Sequence, residues 1–427
     1  MNRRIHDKVI HTGGPLRRRK LGGRVLSLGT LATIAVLVLT ACGPEVSKPY
    51  STTSPASPTA GDIQSLYKLV FWLALIVFIG VQFAIVYTAL RYRRTKDSPT
   101  RPPQVHGNKR LEIMWTIIPA VVLLAILIPT ITTLYEHDAA AEEGDLVVDV
   151  YGKQWWWEIQ YGEDRTQNGQ DLSVVTANEV HLPVGKEAII NLHSNNVIHS
   201  FWVPRLSGKM DVMPGHVNKL SITPTEVGEY YGECAEFCGT QHAWMRFKII
   251  VEPQDQFYAW VNGQRSGNPA VLSADDPPPA GFERAPAAFG VCLSCHAVTG
   301  LGQPGLTGIE APANLGPNLT NLSCRDTLAA GLLVNNRENL EKWIDNPGAV
   351  KPGNYMATVI TPGYIKEQLG QEEFDLLIDY LEGLEPAGGC DRTGASAILA
   401  ATPAGTPDPA ATPVPASTPA SVRLGNR

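Results

Sequence analysis

Basic charge is scarce in this chain. Its 427 residues carry 35 Lys and Arg against 41 Asp and Glu, a formal net charge of −6. That excludes nucleic acid as a partner, since duplex binding needs a basic face. Histidine is sparse as well, ten in all, which leaves no histidine-rich catalytic metal cluster. Two stretches lack charge altogether: Leu69 to Leu90 is almost wholly apolar, and Ile113 to Leu134 holds no charged residue. As a helix at about 1.5 Å per residue, each is roughly 33 Å long, enough to cross a hydrocarbon core. Pro119 and Pro129 fall inside the second run, where neighbouring helices re-satisfy the backbone. Residues 391–427 are Ala, Thr, Pro and Ser with no aromatic, and are expected to be a disordered tail.

What is present is strongly segregated. Arg17, Arg18, Arg19 and Lys20 precede an apolar stretch from Val25 to Ala41, so residues 1–41 read as an export signal. Leu39-Thr40-Ala41-Cys42 resembles the lipobox of bacterial lipoproteins, which implies cleavage before Cys42 and lipid on that cysteine. An uncleaved membrane helix is the alternative, and both place the following residues outside the cell. Residues 42–62, rich in Ser, Thr, Pro and Ala, read as a tether. Arg91, Arg93, Arg94, Lys96, Arg101, Lys109 and Arg110 lie between the two apolar runs, with Asp97 and Glu112 as nearby acids. The positive-inside rule puts that loop in the cytoplasm. Residues 63–135 are therefore a transmembrane hairpin, and everything after about Glu136 lies on the outer face.

From Leu146 to Pro253 the pattern is short alternating segments punctuated by Gly, Pro and Asn. That predicts an all-β sandwich or barrel, with a domain over 146–262 and a linker over 263–280. Residues 281–390 turn helical: Glu338 to Ile344 and Glu372 to Leu381 repeat apolar residues at three- and four-residue spacing. Seven cysteines are many for an exported chain, because free thiols rarely persist there. Cys42 is accounted for by lipid; Cys234 and Cys238 form one close pair, and Cys292 and Cys295 another. Cys324 and Cys390 remain and are expected to pair, although connectivity is not written in sequence.

Cys234-Ala-Glu-Phe-Cys238-Gly-Thr-Gln-His242-Ala-Trp-Met245 puts two thiols, an imidazole and a thioether within twelve residues. Soft sulfur with imidazole suits copper or zinc. The second imidazole must come from elsewhere, and His199 is the candidate. One cysteine would suggest a mononuclear blue-copper site. Two cysteines four apart suggest two coppers bridged by both sulfurs, each with one histidine and one weak outer ligand. A zinc site of Cys234, Cys238, His242 and His199 is one alternative, and a Cys234–Cys238 disulfide is another.

Cys292-Leu-Ser-Cys295-His296 is the haem c attachment motif: two thiols bond to the porphyrin and the next residue presents imidazole to iron. Thioredoxin-like or zinc use is the alternative. Met356, some sixty residues on, is the candidate ligand for the opposite iron face, a pairing that raises the potential.

The copper segment resembles the dinuclear copper (CuA) domain of cytochrome c oxidase subunit II. Leu111-Glu-Ile-Met-Trp-Thr-Ile-Ile-Pro119 resembles the start of that family's second membrane helix, Gln154-Trp-Trp-Trp-Glu-Ile-Gln-Tyr161 its aromatic segment, and His199-Ser-Phe-Trp-Val-Pro204 its first ligand segment. The resemblance implies a cupredoxin-like sandwich with copper on His199, Cys234, Cys238, His242, Met245 and the Glu236 carbonyl. It also implies a magnesium ion near the Glu236 side chain, shared with catalytic subunit I. Trp155 would receive electrons from a donor. Glu112 would stand at a proton-uptake entrance, a solvated helix end being the alternative, and Asp211 would face the catalytic subunit. Residues 281–390 resemble the all-α class I cytochromes c, with Gly316-Pro-Asn-Leu319 packing the proximal histidine and Ala357 where proline is usual.

Together the two modules resemble the caa-type oxidases. That implies electron flow from an external donor, cytochrome c or another periplasmic carrier, through haem c and copper to subunit I and the other oxidase subunits. The competing readings are an electron-transfer subunit of a nitrous or nitric oxide reductase, a quinol oxidase subunit II, and a copper-binding assembly protein. The first needs more histidines or lacks the cysteine pair, the second lacks the ligands, and the third has little use for a covalent haem.

Overall fold

The computed structural model describes residues 50–93, 107–137, 145–162, 166–167, 170–265, 288–298, 315–386 and 389–390. The expected export signal with Cys42, most of the linker over 263–280 and the tail over 391–427 lie outside these described residues.

Two long helices come first, α1 (Pro58–Arg91) and α2 (Lys109–Glu136). Each begins for a local reason. The Ser57 hydroxyl accepts from the Ala60 N–H at 3.1 Å, and Pro58 opens the first turn. The Asn108 side chain accepts from the N–H groups of Arg110 and Leu111 at 3.1 and 3.3 Å. Glu112 Oε1, one residue beyond the usual capping-box position, accepts from the Asn108 N–H at 3.2 Å. Large apolar side chains such as Ile76, Phe83 and Ile128 are left exposed all round both helices, as a lipid-facing helix requires. Both are long and apolar enough to cross a membrane. At their adjoining ends His137 Nε2 lies 3.0 Å from Asp62 Oδ2.

The tether expected over 42–62 is a different object where it is described. Helix α1 already starts at Pro58, and Ala56 is buried, donating to the Arg205 carbonyl at 2.8 Å and accepting from the Thr225 N–H at 2.9 Å. Small residues of tether-like composition let the backbone lie flat against the sandwich, where its polar groups find partners.

The sandwich follows, with strands β1 (Leu146–Lys153), β2 (Trp156–Tyr161), β3 (Thr166–Gln167), β4 (Gln170–Asp171), β5 (Val174–Ala177), β6 (Glu179–Pro183), β7 (Ala188–Ser194), β8 (His199–Trp202), β9 (Met210–Val212), β10 (Asn218–Ile222), β11 (Gly228–Cys234) and β12 (Arg246–Glu252). One sheet has the order β10-β7-β1-β2-β5 and the other β6-β12-β11-β8-β9. Pairs β1–β7 and β6–β12 are parallel. Strand β1 alternates buried and half-buried residues, as a strand with one face inward must. The core between the sheets holds Val148, Trp157, Ile159, Val180, Phe201 and Phe247. Helix α3 (Gln254–Arg265) closes it with Phe257 and Val261. That helix was not anticipated, although the four-residue spacing of the two side chains announces it.

The third module is built of short helices, α4 (Phe289–Cys292), α5 (Arg337–Asp345), α6 (Pro347–Val350), α7 (Met356–Val359), α8 (Tyr364–Leu369) and α9 (Gln371–Glu382), with a two-stranded ladder of β13 (Thr327–Leu328) and β14 (Leu333–Val334). Helices α5 and α9 cover the two segments whose apolar spacing reads as helical. Asn336 caps α5 by accepting from the Asn339 N–H at 2.9 Å. Cys324 and Cys390 are joined by a disulfide.

Candidate functional site

Sheet register brings the first candidate metal ligands together. Strands β8 and β11 are antiparallel neighbours with Cys234 opposite Phe201, so His199, two residues along, shares its face with Cys234. The Cys234 N–H donates to the Met245 carbonyl at 3.0 Å, which fixes the far end of the loop. The loop between them brings in Cys238 and His242. The two sulfurs lie 3.7 Å apart, too far for a disulfide. Cys234 Sγ is 3.9 Å from His199 Nδ1, and Cys238 Sγ is 3.8 Å from His242 Nδ1. Met245 Sδ sits 3.9 Å from Cys238 Sγ, and the Glu236 carbonyl 3.2 Å from Cys234 Sγ.

These separations fit metal. A metal about 2.3 Å from sulfur and about 2.0 Å from nitrogen spans just such gaps at an open coordination angle. The donors are paired: one sulfur, one imidazole and one weak ligand on each side. His199 Nε2 faces Asn196 Oδ1 at 3.2 Å, which puts the proton on Nε2 and leaves the Nδ1 lone pair toward the sulfurs. Gly152 makes room for that ring, since a Cβ there would lie 2.8 Å from His199 Cδ2. The hydrogen bond from the Cys238 thiol holds Cys234 down to about 3, against burial, with His199 helping. The same contact pushes Cys238 up, because a second negative charge beside the first is penalised. Both thiols ionise together only around a cation.

The haem side is a largely apolar cavity lined by Cys292, Cys295, His296, Trp343, Leu340, Ile344 and Met356. His296 Nδ1 donates to the Pro317 carbonyl at 2.8 Å, leaving Nε2 free for iron. Burial pushes its pKa down, against that hydrogen bond, which keeps the imidazole neutral as a ligand must be. Gly316 lies against the ring so closely that any Cβ would collide with it. Met356 opens α7 and lines the same cavity. Its loop is held by Asn354, which donates to the Pro347 carbonyl at 2.8 Å and accepts from the Ala357 N–H at 2.8 Å. Arg325 was missed from sequence. It is buried and lines the cavity, and its Nε has no partner among the described residues. Its Nη2 donates to the Asn318 carbonyl, and the unpartnered Nε fits a carboxylate-bearing macrocycle.

Three family models match the chain in succession. They are the cytochrome c oxidase subunit II transmembrane domain over residues 50–133, the periplasmic domain of the same subunit over 146–253, and cytochrome c over 282–385. Curated relatives called cytochrome c oxidase subunit 2 cover nearly the whole length. That of Alkalihalophilus pseudofirmus is 36% identical over 374 residues, 86% of this chain and 98% of the relative. Those of Bacillus sp. strain PS3 and Bacillus subtilis are 34% and 33% identical, over 84% and 83% of this chain and 97% and 96% of theirs. The chain belongs to the cytochrome c oxidase subunit II family. Within that family it is a form carrying a C-terminal cytochrome c domain.

Other residues singled out from sequence fall at defined places in this subunit. Glu236 is exposed at the tip of the copper loop beside Phe237, which is 75% exposed. Asp211 is half-buried on edge strand β9. Glu112 caps α2 at the end away from the sandwich. Trp155 precedes β2, and its indole N–H donates to the Cys238 carbonyl at 3.0 Å.

The haem module is seated directly on this region. The Trp155 and Tyr355 rings stack with centroids 5.1 Å apart. Lys351 Nζ donates to the Trp155 carbonyl at 2.9 Å, and burial pushes that amine down to about 7, with Cys238 pulling the other way. Trp156 donates to the Leu315 carbonyl at 3.0 Å. Below them, Glu179 accepts from the N–H groups of Asp326 and Thr327 at 3.1 and 2.8 Å. Lys248 bridges Asp326 and Glu229 at 2.6 and 3.2 Å.

Proposed function

We propose that this chain is the electron-relaying subunit II of a bacterial haem-copper terminal oxidase, holding two coppers and one covalent haem c on the outer face of the membrane. His199, Cys234, Cys238, His242, Met245 and the Glu236 carbonyl hold the copper pair. Cys292 and Cys295 anchor the haem, His296 and Met356 ligate it, and Arg325 meets its carboxylates. The metals supply one-electron redox chemistry; the protein supplies fixed ligands, so that little rearranges when an electron passes. Family membership supports the reading, and one observation carries it: two sulfurs 3.7 Å apart, each flanked at 3.8–3.9 Å by its own imidazole nitrogen.

Electrons come from an external carrier to the haem module, cross to the copper pair and leave toward catalytic subunit I. The exposed Glu236 and Phe237 lie on the departing side, where the Glu236 carboxylate is available to a magnesium ion shared with that subunit. Glu112 keeps the role of helix cap; a further part at the proton entrance rests on resemblance alone. The outer-face orientation rests on the basic residues Arg91, Arg93, Lys109 and Arg110, at the ends of the helices away from the sandwich.

Metal analysis with visible and near-infrared spectra of the purified full chain tests this. The expected result is two coppers with a near-infrared band and one low-spin haem c. Zinc in place of copper would overturn it. Met356→Ala should lower the haem potential and leave the copper band unchanged; an unaltered haem spectrum in that variant would remove Met356 from the ligand set.

A further inference from the structure

We infer that Tyr355 is the haem-side half of an electron bridge into the copper centre, and that Lys351 is the residue that positions it. This rests on the proposed function, because it needs both centres loaded. Tyr355 is bonded to Met356, the residue that reaches the haem iron. Its ring lies 5.1 Å from that of Trp155, with the planes 19° apart. The Trp155 indole N–H donates to the carbonyl of Cys238 at 3.0 Å, and Cys238 supplies one of the two thiolates. From methionine to thiolate the path is covalent except for one ring-to-ring contact and one hydrogen bond.

Both halves of the contact are held in place. Gln154 Nε2 donates to the same Cys238 carbonyl at 2.8 Å, so the β1–β2 turn carrying Trp155 is tied to the copper loop twice. Lys351, 4% exposed, crosses from the haem module to the main-chain carbonyl of Trp155 at 2.9 Å. It therefore anchors the loop that carries Tyr355 to the residue Tyr355 stacks on, and sets the offset of the two rings. The indole that would otherwise meet a separate donor is covered by this chain's own tyrosine. A soluble carrier accordingly delivers to the haem module and not to the copper face.

One electron crosses in the step. The donor side loses it from iron, which rises by one oxidation unit, and the copper pair gains it; no proton or atom moves with it. Neither aromatic ring has to ionise.

The test is time-resolved haem-to-copper transfer in the purified oxidase containing the full chain, followed at the haem and near-infrared copper bands. Native amine acetylation read by mass spectrometry reports separately whether Lys351 is still covered. In Tyr355→Leu, transfer should slow about tenfold, as for a barrier raised by one decade of rate, with both spectra and Lys351 protection as in the wild type. Tyr355→Phe and Tyr355→Trp, which keep a ring, should restore it. Lys351→Met should slow transfer by a smaller factor at unchanged potentials, and Lys351→Arg, which keeps a donor, should recover it.

A wild-type rate in Tyr355→Leu overturns the bridge. So does acetylation of Lys351 in that variant, which would make the ring ordinary packing, or a Tyr355→Phe variant as slow as Tyr355→Leu. If the wild-type chain itself lacks the copper or haem band, the functional reading fails and this inference with it. The two failures are therefore told apart by the wild-type spectra.

Discussion

The copper and haem modules hold their centres in opposite ways. In the sandwich the ligands sit at the rim of a core that closes beneath them. Trp157 packs against Phe201 and Phe247 with ring centroids 5.6 and 5.3 Å away, and lies 5.9 Å from the ring of His199. In the haem module the core is the site. Leu340, Ile344, Ile360, Ile365 and Leu381 form the hydrophobic cluster and also line the cavity that holds His296 and Met356. The sheets build the copper site in advance, whereas the short helices surround a cavity whose apolar lining a bound haem would complete.

That contrast has a direct consequence. Replacing Cys292 and Cys295 by alanine removes the covalent hold on haem and should leave the C-terminal module unfolded, with loss of hydrogen-exchange protection in α5 and α9. Cys238→Ser should abolish the near-infrared copper band and oxidase turnover, yet leave exchange protection in β1, β7, β11 and β12 intact. A sandwich that unfolds with Cys238→Ser would erase the difference between the modules.

The next largest effect belongs to neither module but to the junction. Lys248 is 4% exposed and bridges Glu229 of the sandwich to Asp326 of the haem module. Burial alone would depress its pKa, but Glu179, Asp326 and Glu229 together raise it, so it stays charged when docked. Lys248→Met leaves the buried Glu179 and the half-buried Glu229 and Asp326 without their cation, a loss that reaches roughly 3–5 kcal/mol only for a fully buried pair. Denaturant unfolding of the oxidase-free chain should show the haem module undocking first, with Lys351 becoming open to acetylation. An unchanged acetylation pattern would mean that apolar contact around Trp156 and Ala330 suffices to hold the modules together.

The same contrast explains what could be read from sequence. Ligands crowded into one loop, as Cys234 to Met245 are, are visible from spacing, because coordination chemistry demands those atom types close together. The haem motif is visible for the same reason, and α5 and α9 from apolar periodicity. His199 was reachable because the copper set lacked one imidazole. The junction was not legible: Lys351 meets Trp155 across a separation of 196 residues, and no local period records that two folded surfaces match. Arg325 also went unnoticed, since a single arginine beside a disulfide cysteine carries no spacing signal until burial removes its solvent. The tether over 42–62 was misjudged because composition reports flexibility but not the carbonyls and N–H groups that Ala56 finds on the sandwich.

The smallest expected effect concerns Glu179 and pH. Burial raises its pKa above the ordinary carboxylate range, while Lys248 and the hydrogen bonds from Thr327 and Asp326 pull it back only in part. Part of that burial comes from the haem module, so the docked state holds the Glu179 proton more tightly than the undocked one. Docking therefore takes up a proton. Its contribution is fully present below the undocked pKa and is lost as pH rises through the docked one. Lys248 stays protonated across this range and adds no slope, whereas Lys351, which burial holds down to about 7 when docked, adds a slope of opposite sign only as pH reaches that value. Acetylation of a redox-neutral surface lysine such as Lys342 supplies the reagent control, and the protection of Lys351 relative to it should weaken as pH rises from the carboxylate range toward neutrality. Glu179→Gln keeps two oxygen- or nitrogen-bearing arms in the same space without the titration, so its protection should lose this slope. A slope that survives in Glu179→Gln would mean that Glu179 is not the junction's titrating group.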